Sequence, residues 1–151
     1  MTKSPLTGCY ARSCAGGDFG VWLKFAGYDV LLIEGKAKKP VYLHVMPERI
    51  EIKDASELWG KDTKVTQEEL YGRYGKNSRV ACIGPAGEKL VKYAAIVTGR
   101  RIVRRCGVGT VMGSKGLKAI VVKAERSLNL NDPERFVQLS REQTRIIKSS
   151  P

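Results

Sequence analysis

The chain has 151 residues, 42% of them hydrophobic, enough for one folded domain with its own core and too many for a disordered tail. Twenty-seven lysines and arginines against fifteen acids leave a net charge of +12, so an anionic partner is expected: a phosphorylated ligand, nucleic acid, a membrane surface or an acidic protein. No apolar run reaches the roughly 18 residues that span a bilayer, and no signal peptide opens the chain, so a cytoplasmic protein without a membrane segment is expected.

GGDFGVWLKFAG (16–27) places Phe19, Trp22, Leu23 and Phe25 at helical spacing after a glycine turn, and Gly27 closes a short helix. YDVLLIEG (28–35) is a continuous apolar run of strand length and reads as a strand buried on both faces. In KKPVYLHVM, Val41, Leu43 and Val45 alternate with Tyr42 and His44, and IEIK (50–53) alternates too, so these three segments are expected to form a meander. His44 falls on the polar phase and reads as a surface or hydrogen-bonded residue. DASELWGKDT is a loop with one helical turn. TQEELYGRYG (66–75) follows as a helix, with Thr66 as N-cap, Glu69 completing a capping box and Gly75 as the stop.

RVACIGPAGE reads as a strand entering a glycine–proline turn, whereas KLVKYAAIVTG (89–99) fits a helical turn and a strand equally. LKAIVVKA (117–124) is a strand, with Leu117 and Ala119 to Val122 apolar. Composition then shifts, and a helix with Asp132 as N-cap and Pro133 at its first position carries Phe136, Val137, Leu139, Ile146 and Ile147 on a ragged apolar face. A boundary near 125–131 divides residues 1–126 from the start of a helical segment, 127–151. The order is α+β, with mixed or antiparallel sheets and a few helices, not a regular βαβ alternation.

Cysteines stand at 9, 14, 82 and 106 without a C-x-x-C pair, and His44 is the one histidine. That spacing argues against a zinc site and predicts reduced, mostly buried thiols. The chemically suggestive stretch is RRCGVGTVMGSKG (104–116). Gly107, Gly109 and Gly113 are spaced one residue too long for a dinucleotide fingerprint, and Ser114 precedes Lys115 where a P-loop needs the reverse. The run still suits an anion: glycines allow close backbone approach, and a helix starting near Gly107 would present its positive end. Arg100, Arg101, Arg104 and Arg105 add guanidinium forks matched to phosphate. A solvated basic turn is the plain alternative. So is a nucleic-acid-binding module, although no aromatic residue interleaves with the arginines to stack bases.

Six blocks carry a resemblance: TKSPLTG (2–8), GGDFG (16–20), LKFAGYDVLLIEGKAKKPVYL (23–43), DASELWGK (54–61), ACIGPAGEKLVKYAAI (81–96) and GVGTVMGSKGLKAIVV (107–122). In this order they resemble the N-terminal domain of tungsten-containing aldehyde ferredoxin oxidoreductases. The resemblance implies part of an α+β domain built from two related halves around a bis-pterin cofactor. That cofactor holds tungsten or molybdenum, with magnesium bridging the pterin phosphates. It also implies a reaction taking an aldehyde to a carboxylic acid, with electrons passed through a 4Fe-4S cluster to ferredoxin.

The family's cluster ligands, a C-x-x-C-x-x-x-C group and one further cysteine, have no counterpart here. The chain is therefore expected to be a fragment or subunit, joining the family domain about midway and stopping after its last strand, and inactive alone. Its partners are the remainder of the enzyme, ferredoxin and the aldehyde. Strand edges left open by a missing half are expected to drive pairing or homo-oligomerisation.

Two segments are implied as cofactor-binding. The first is Cys14, Ala15, Gly16 and Gly17, where Cys14 stands in place of a family asparagine near the magnesium–phosphate unit; a thiol is a poor ligand for that hard ion. The second is RRIVRRCGVG (100–109), aligned with the family's H-R-A-A-G-R-G-G-V-G. Arg101, Ile102, Val103, Arg105 and Gly107 belong to it; Ile102 and Val103 replace alanines and narrow the space, and Arg104 replaces a glycine. No catalytic residue and no direct metal ligand is assigned within the chain.

Overall fold

A computed structural model describes residues 1–124 and 130–150. A two-stranded hairpin, β1 (Thr2–Lys3) with β2 (Tyr10–Ala11), leads through a loop to helix α1 (Phe19–Phe25). Strands β3 (Val41–Val45) and β4 (Ile50–Asp54) follow, then α2 (Thr63–Tyr74), β5 (Ser78–Cys82) and the short α3 (Pro85–Glu88). The hairpin of β6 (Ile96–Thr98) and β7 (Arg101–Val103) leads through a 3₁₀ turn (Arg105–Gly107) into α4 (Val108–Ser114) and β8 (Leu117–Lys123). Helix α5 (Pro133–Ser149) closes the described chain, capped by the Asp132 carboxylate, which accepts from the Arg135 amide. Every described residue of α5 is exposed, so its ragged apolar face covers nothing among the described residues. Among the described residues no helix is long and apolar enough to cross a membrane.

The main sheet has six strands in the order β4-β3-β8-β5-β6-β7. Only β3 with β8 is parallel; the other pairs are antiparallel, giving the mixed α+β architecture expected. β8 lies inside the sheet, and both of its faces are apolar for that reason. Ala119 and Val121 join Tyr42, Leu58, Leu70, Val80 and Cys82 in one core cluster, which α2 covers. Val122 and Leu117 join Leu43, Val45, Ile83 and Met112 in another, against which Phe19, Trp22 and Leu23 of α1 pack. Each such fully buried aliphatic side chain contributes about 1.5–3 kcal/mol. α1 is pinned to the start of β5: the Trp22 indole donates to the Asn77 carbonyl at 2.8 Å, and the Arg79 guanidinium stacks 3.8 Å over the Trp22 ring while pairing with Asp18.

Several expectations are corrected. Residues 28–35 form no strand, because β4 and β8 already occupy both edges of β3 and leave no ladder for a meander. Leu31 and Ile33 pack inward, whereas Val30 and Leu32 stay exposed. α2 starts at Thr63, not after Thr66: the Asp62 carboxylate accepts from the Val65 amide at 2.8 Å. Thr66 spends its hydroxyl on the Asp62 carbonyl, and Glu69 pairs with Lys61. Gly75 does end the helix, at φ 83°. KLVKYAAIVTG divides into turns and then β6.

His44 is buried, not at the surface. Its ring lies against Tyr74 with centroids 4.1 Å apart, neither ring nitrogen has a hydrogen-bond partner, and the Glu51 carboxylate is 3.6 Å from Nδ1. All four cysteines are free, but only Cys82 is buried; Cys9 and Cys14 are exposed in the loops around β2. The expected domain boundary at 125–131 falls largely outside the described residues.

Candidate functional site

The β6–β7 hairpin turns on two residues, Gly99 and Arg100, with Thr98 paired to Arg101. Glycine at the first turn position, with φ 54°, gives the tight reversal that matches strand twist. This puts Arg100 and Arg101 at the hairpin tip, and Arg104 and Arg105 follow as the chain leaves β7. The loop after β2 folds over them: the Ser13 hydroxyl accepts from the Arg105 amide at 3.2 Å, across 92 residues of sequence. Gly17, at φ 100°, lets the backbone pass the Arg101 side chain, whose Cγ would lie 3.3 Å from any Cβ there. Between the two segments lies a cavity of about 530 Å³, walled by Ser13, Cys14, Ala15 and Gly16 on one side and by Arg100, Arg101, Ile102, Arg104 and Arg105 on the other.

The four arginines are exposed, and among the described residues none pairs with a carboxylate. Elsewhere the guanidiniums of Arg49, Arg73 and Arg79 each have an acidic partner. Four uncompensated guanidiniums around one concavity have the charge and the donors to suit an anion with several oxygens. Of the residues anticipated from the sequence, Cys14, Ala15, Gly16, Arg101, Ile102 and Arg105 line this cavity, and Gly17 abuts it through Arg101. Val103, paired with Ile96, and Gly107 are not in its wall. Arg100 and Arg104, noted in the charge run but not among the residues that the resemblance implies as cofactor-binding, join the wall, as does Ser13. The charge run signalled the two arginines; nothing in the sequence signalled Ser13.

The glycines of 107–113 serve another purpose. A Cβ on Gly107 would lie 2.0 Å from the Lys92 carbonyl oxygen, on Gly109 2.4 Å from that of Ala95, and on Gly113 1.9 Å from that of Gly87. The Gly109 amide donates to the Ala94 carbonyl at 2.9 Å, so it is spent within the protein. These glycines let α4 lie directly on the backbone of α3 and residues 92–95. The expected close approach of this backbone to an oxyanion gives way to backbone-on-backbone packing. Cys106 and Gly107 both take left-handed conformations, at φ 66° each, as the chain reverses into α4.

A buried ion pair also escaped the sequence reading. Lys118, in the apolar run of β8, has a fully buried side chain. Its ammonium donates to the Glu88 carboxylate at 2.5 Å and to the Lys61 carbonyl at 2.7 Å. The other Glu88 oxygen accepts from the Gly60 amide at 2.9 Å, so the group ties β8, α3 and the 60–61 turn together. Burial pushes the Cys82 thiol up to about 12, which leaves it protonated and unreactive. Among the described residues no group of three or more His, Cys, Asp or Glu side chains is placed to hold a metal ion.

The profile of the aldehyde ferredoxin oxidoreductase N-terminal domain matches residues 1–124. The tungsten-containing aldehyde ferredoxin oxidoreductase of Pyrococcus furiosus is 47% identical over the whole chain, and that of Thermococcus kodakarensis 44%. The chain spans 25% of the length of each. The WOR-like subunit of aliphatic sulfonate oxidoreductase from Pyrococcus furiosus is 34% identical over 94% of the chain. Among solved structures, the active site complex BamBC of benzoyl coenzyme A reductase, in complex with 1,5-dienoyl-CoA, superposes with a TM-score of 0.91 at 41% identity, covering 97% of this chain and 22% of that one.

Proposed function

The chain belongs to the aldehyde ferredoxin oxidoreductase family, matching its N-terminal domain, and from that premise we propose that it supplies part of the cofactor pocket of an enzyme oxidising aldehydes to carboxylic acids. The observation that carries the reading is the cavity of Arg100, Arg101, Arg104 and Arg105 against Ser13 to Gly16. Two segments far apart in sequence, both implied by the resemblance, meet in one concavity of uncompensated positive charge.

The residues suit the phosphate end of a tungsten pterin. Arg101 and Arg105 would grip phosphate oxygens, and the backbone at Cys14 to Gly17 would close over them. Ile102 gives the wall its one large apolar side chain, against which the rest of the ligand would lie. When bound, the pterin's tungsten supplies the redox chemistry. The chain's own part is to hold and orient the cofactor and to balance its charge. The Cys14 thiol would be a poor magnesium ligand, so any oxygen offered to that ion here would come from the backbone and from the phosphates themselves.

Among the described residues no three cysteines stand together as a metal site, so a 4Fe-4S cluster and the passage of electrons to ferredoxin would belong to the remainder of the enzyme. α5 and the residues before it, from 127 on, would open its next domain. The test combines this chain with the missing three quarters of a relative expressed as a second polypeptide. Tungsten content and aldehyde-dependent dye reduction are then measured. The chain alone is expected to be inactive and the pair active, with Arg101→Ala/Arg105→Ala losing tungsten. Full tungsten loading in that double variant would remove the reading.

A further inference from the structure

The six-stranded sheet ends on β4, which has β3 on one side and, among the described residues, no strand on the other. The bonds of the β3–β4 hairpin determine which of its backbone groups face that open side. The Met46 amide donates to the Arg49 carbonyl and the Ala55 amide to the Pro40 carbonyl, each at 2.9 Å. In an antiparallel ladder, hydrogen-bonded and non-hydrogen-bonded pairs alternate. Between those two bonded pairs, Glu51 and Lys53 therefore bond to His44 and Tyr42, and Ile50, Ile52 and Asp54 turn their backbone groups to the open edge. Ile50 is 40% and Ile52 72% exposed. Their side chains continue the face of Val45 and Leu43, their partners in β3. An edge offering both backbone groups and apolar side chains is a template for pairing unless charge protects it.

The charges on β4 protect it against every two-fold register but one. A second copy added antiparallel must bring its own outward groups opposite those of Ile50, Ile52 and Asp54, so the axis must pass beside a residue and not between two. An axis beside Glu51 or Lys53 sets two glutamates or two lysines face to face, in the non-hydrogen-bonded positions where side chains lie closest. One beside Asp54 sets two aspartates together, and one beside Ile50 runs the pairing off the strand into the turn after Val45. The axis beside Ile52 sets Ile52 against its own copy and each Glu51 against Lys53 of the other chain. Within one chain Glu51 already pairs with Arg49 and Lys53, each at 2.9 Å, so the incoming lysine joins a formed charge group. We propose that two copies of this chain pair antiparallel along β4 in this register, making one continuous sheet. The pairing does not depend on what the arginine cavity holds.

The test is sedimentation of the full chain over a range of concentrations, with hydrogen exchange on the same samples. So small an interface is expected to be weak, the dimer building up between about 10 µM and 1 mM, and the Ile52 amide slowing its exchange as it does. Ile52→Lys brings like charges together at the axis and should abolish the dimer, while melting of the dilute chain stays the same because that side chain is exposed. Glu51→Lys and Lys53→Glu each set like charges opposite one another and should each weaken pairing by about tenfold. Mixed in equal amounts, these two variants should dimerise with each other as the parent does, since position 51 of each then faces an opposite charge at position 53 of its partner. Should Glu51→Lys fail to fold, Ile52→Lys and the exchange of the Ile52 amide decide alone. A parent that stays monomeric at 1 mM overturns the proposal. So does a dimer that survives Ile52→Lys, or a mixture of the two folded variants no more dimeric than either alone.

Discussion

Replacing Gly113 with alanine separates the two jobs that a glycine-rich run can do. In this fold a Cβ at that position would lie 1.9 Å from the Gly87 carbonyl oxygen and 2.6 Å from its carbon. Non-bonded heavy atoms settle at about 3.5 Å, so α4 and α3 must part by more than about 1 Å. The obstacle is backbone and cannot swing aside as a side chain would. Overpacking of a well-filled interior costs about 1–3 kcal/mol, and a clash of this depth belongs at the upper end. Alanine returns about 1 kcal/mol of helix propensity, leaving a net loss of about 2 kcal/mol. Against a total stability of about 5–15 kcal/mol that is a visible shift. Urea unfolding followed by circular dichroism reads it, with pyrophosphate titration below the transition as the companion measurement. The midpoint should fall while affinity per folded molecule stays the same, because Gly113 is not in the wall of the arginine cavity. A variant as stable as the parent but unable to bind pyrophosphate would refute the packing role and return the glycine run to the ligand.

Lys118→Met leaves the Glu88 carboxylate buried without its cation and should cost about 3–5 kcal/mol in the same unfolding assay, whereas Lys118→Met with Glu88→Leu should recover much of that loss. Cys106→Gly should raise stability by up to about 1 kcal/mol, since φ 66° strains a residue with a Cβ; a lower midpoint would mean that its half-buried thiol outweighs the strain. His44 is held below its ordinary 6.5 mainly by burial, with Lys53 and Lys123 reinforcing that and Glu51 opposing it. The unfolded chain therefore takes up the proton first. The contribution of His44 is complete above pH 6.5 and is lost as pH falls through the lower folded value. His44→Phe keeps a ring against Tyr74 and should flatten the stability profile below that point; an unaltered profile would assign the acid sensitivity to other groups.

What could be read from the sequence was whatever local pattern decides. β8 is legible because a strand buried on both faces is mostly apolar, as Leu117 and Ala119 to Val122 are, and the end of α2 because Gly75 suits its positive-φ stop. The start of α2 was misread because Thr66 and Glu69 satisfy a capping box as well as Asp62 satisfies its own turn, and the choice rests on Lys61, which draws Glu69 away. The segment 28–35 was misread because its fate depends on which edges of β3 are free. Lys118 was invisible because its partners, Glu88 and the Lys61 carbonyl, lie 30 and 57 residues away. The arginine run announced an anion, but its cavity needed Ser13 to Gly16 from the other end of the chain.

The same contacts explain how a ligand site can diverge on an unaltered frame. Gly107, Gly109 and Gly113 are fixed by carbonyl oxygens within 2.4 Å of any added carbon, so that half of the run tolerates no side chain. At the hairpin tip, a Cβ on Gly99 would meet nothing within 4 Å, and Arg100, Arg101 and Arg104 are exposed. Residues 107–122 carry the family resemblance, whereas before them Arg101 and Arg105 keep its pattern and Ile102, Val103 and Arg104 depart from it. The boundary between the two coincides with the change from backbone packing to open cavity. Side chains at positions 100 and 104 therefore meet no packed backbone, and it is there that the ligand site can diverge without disturbing the fold.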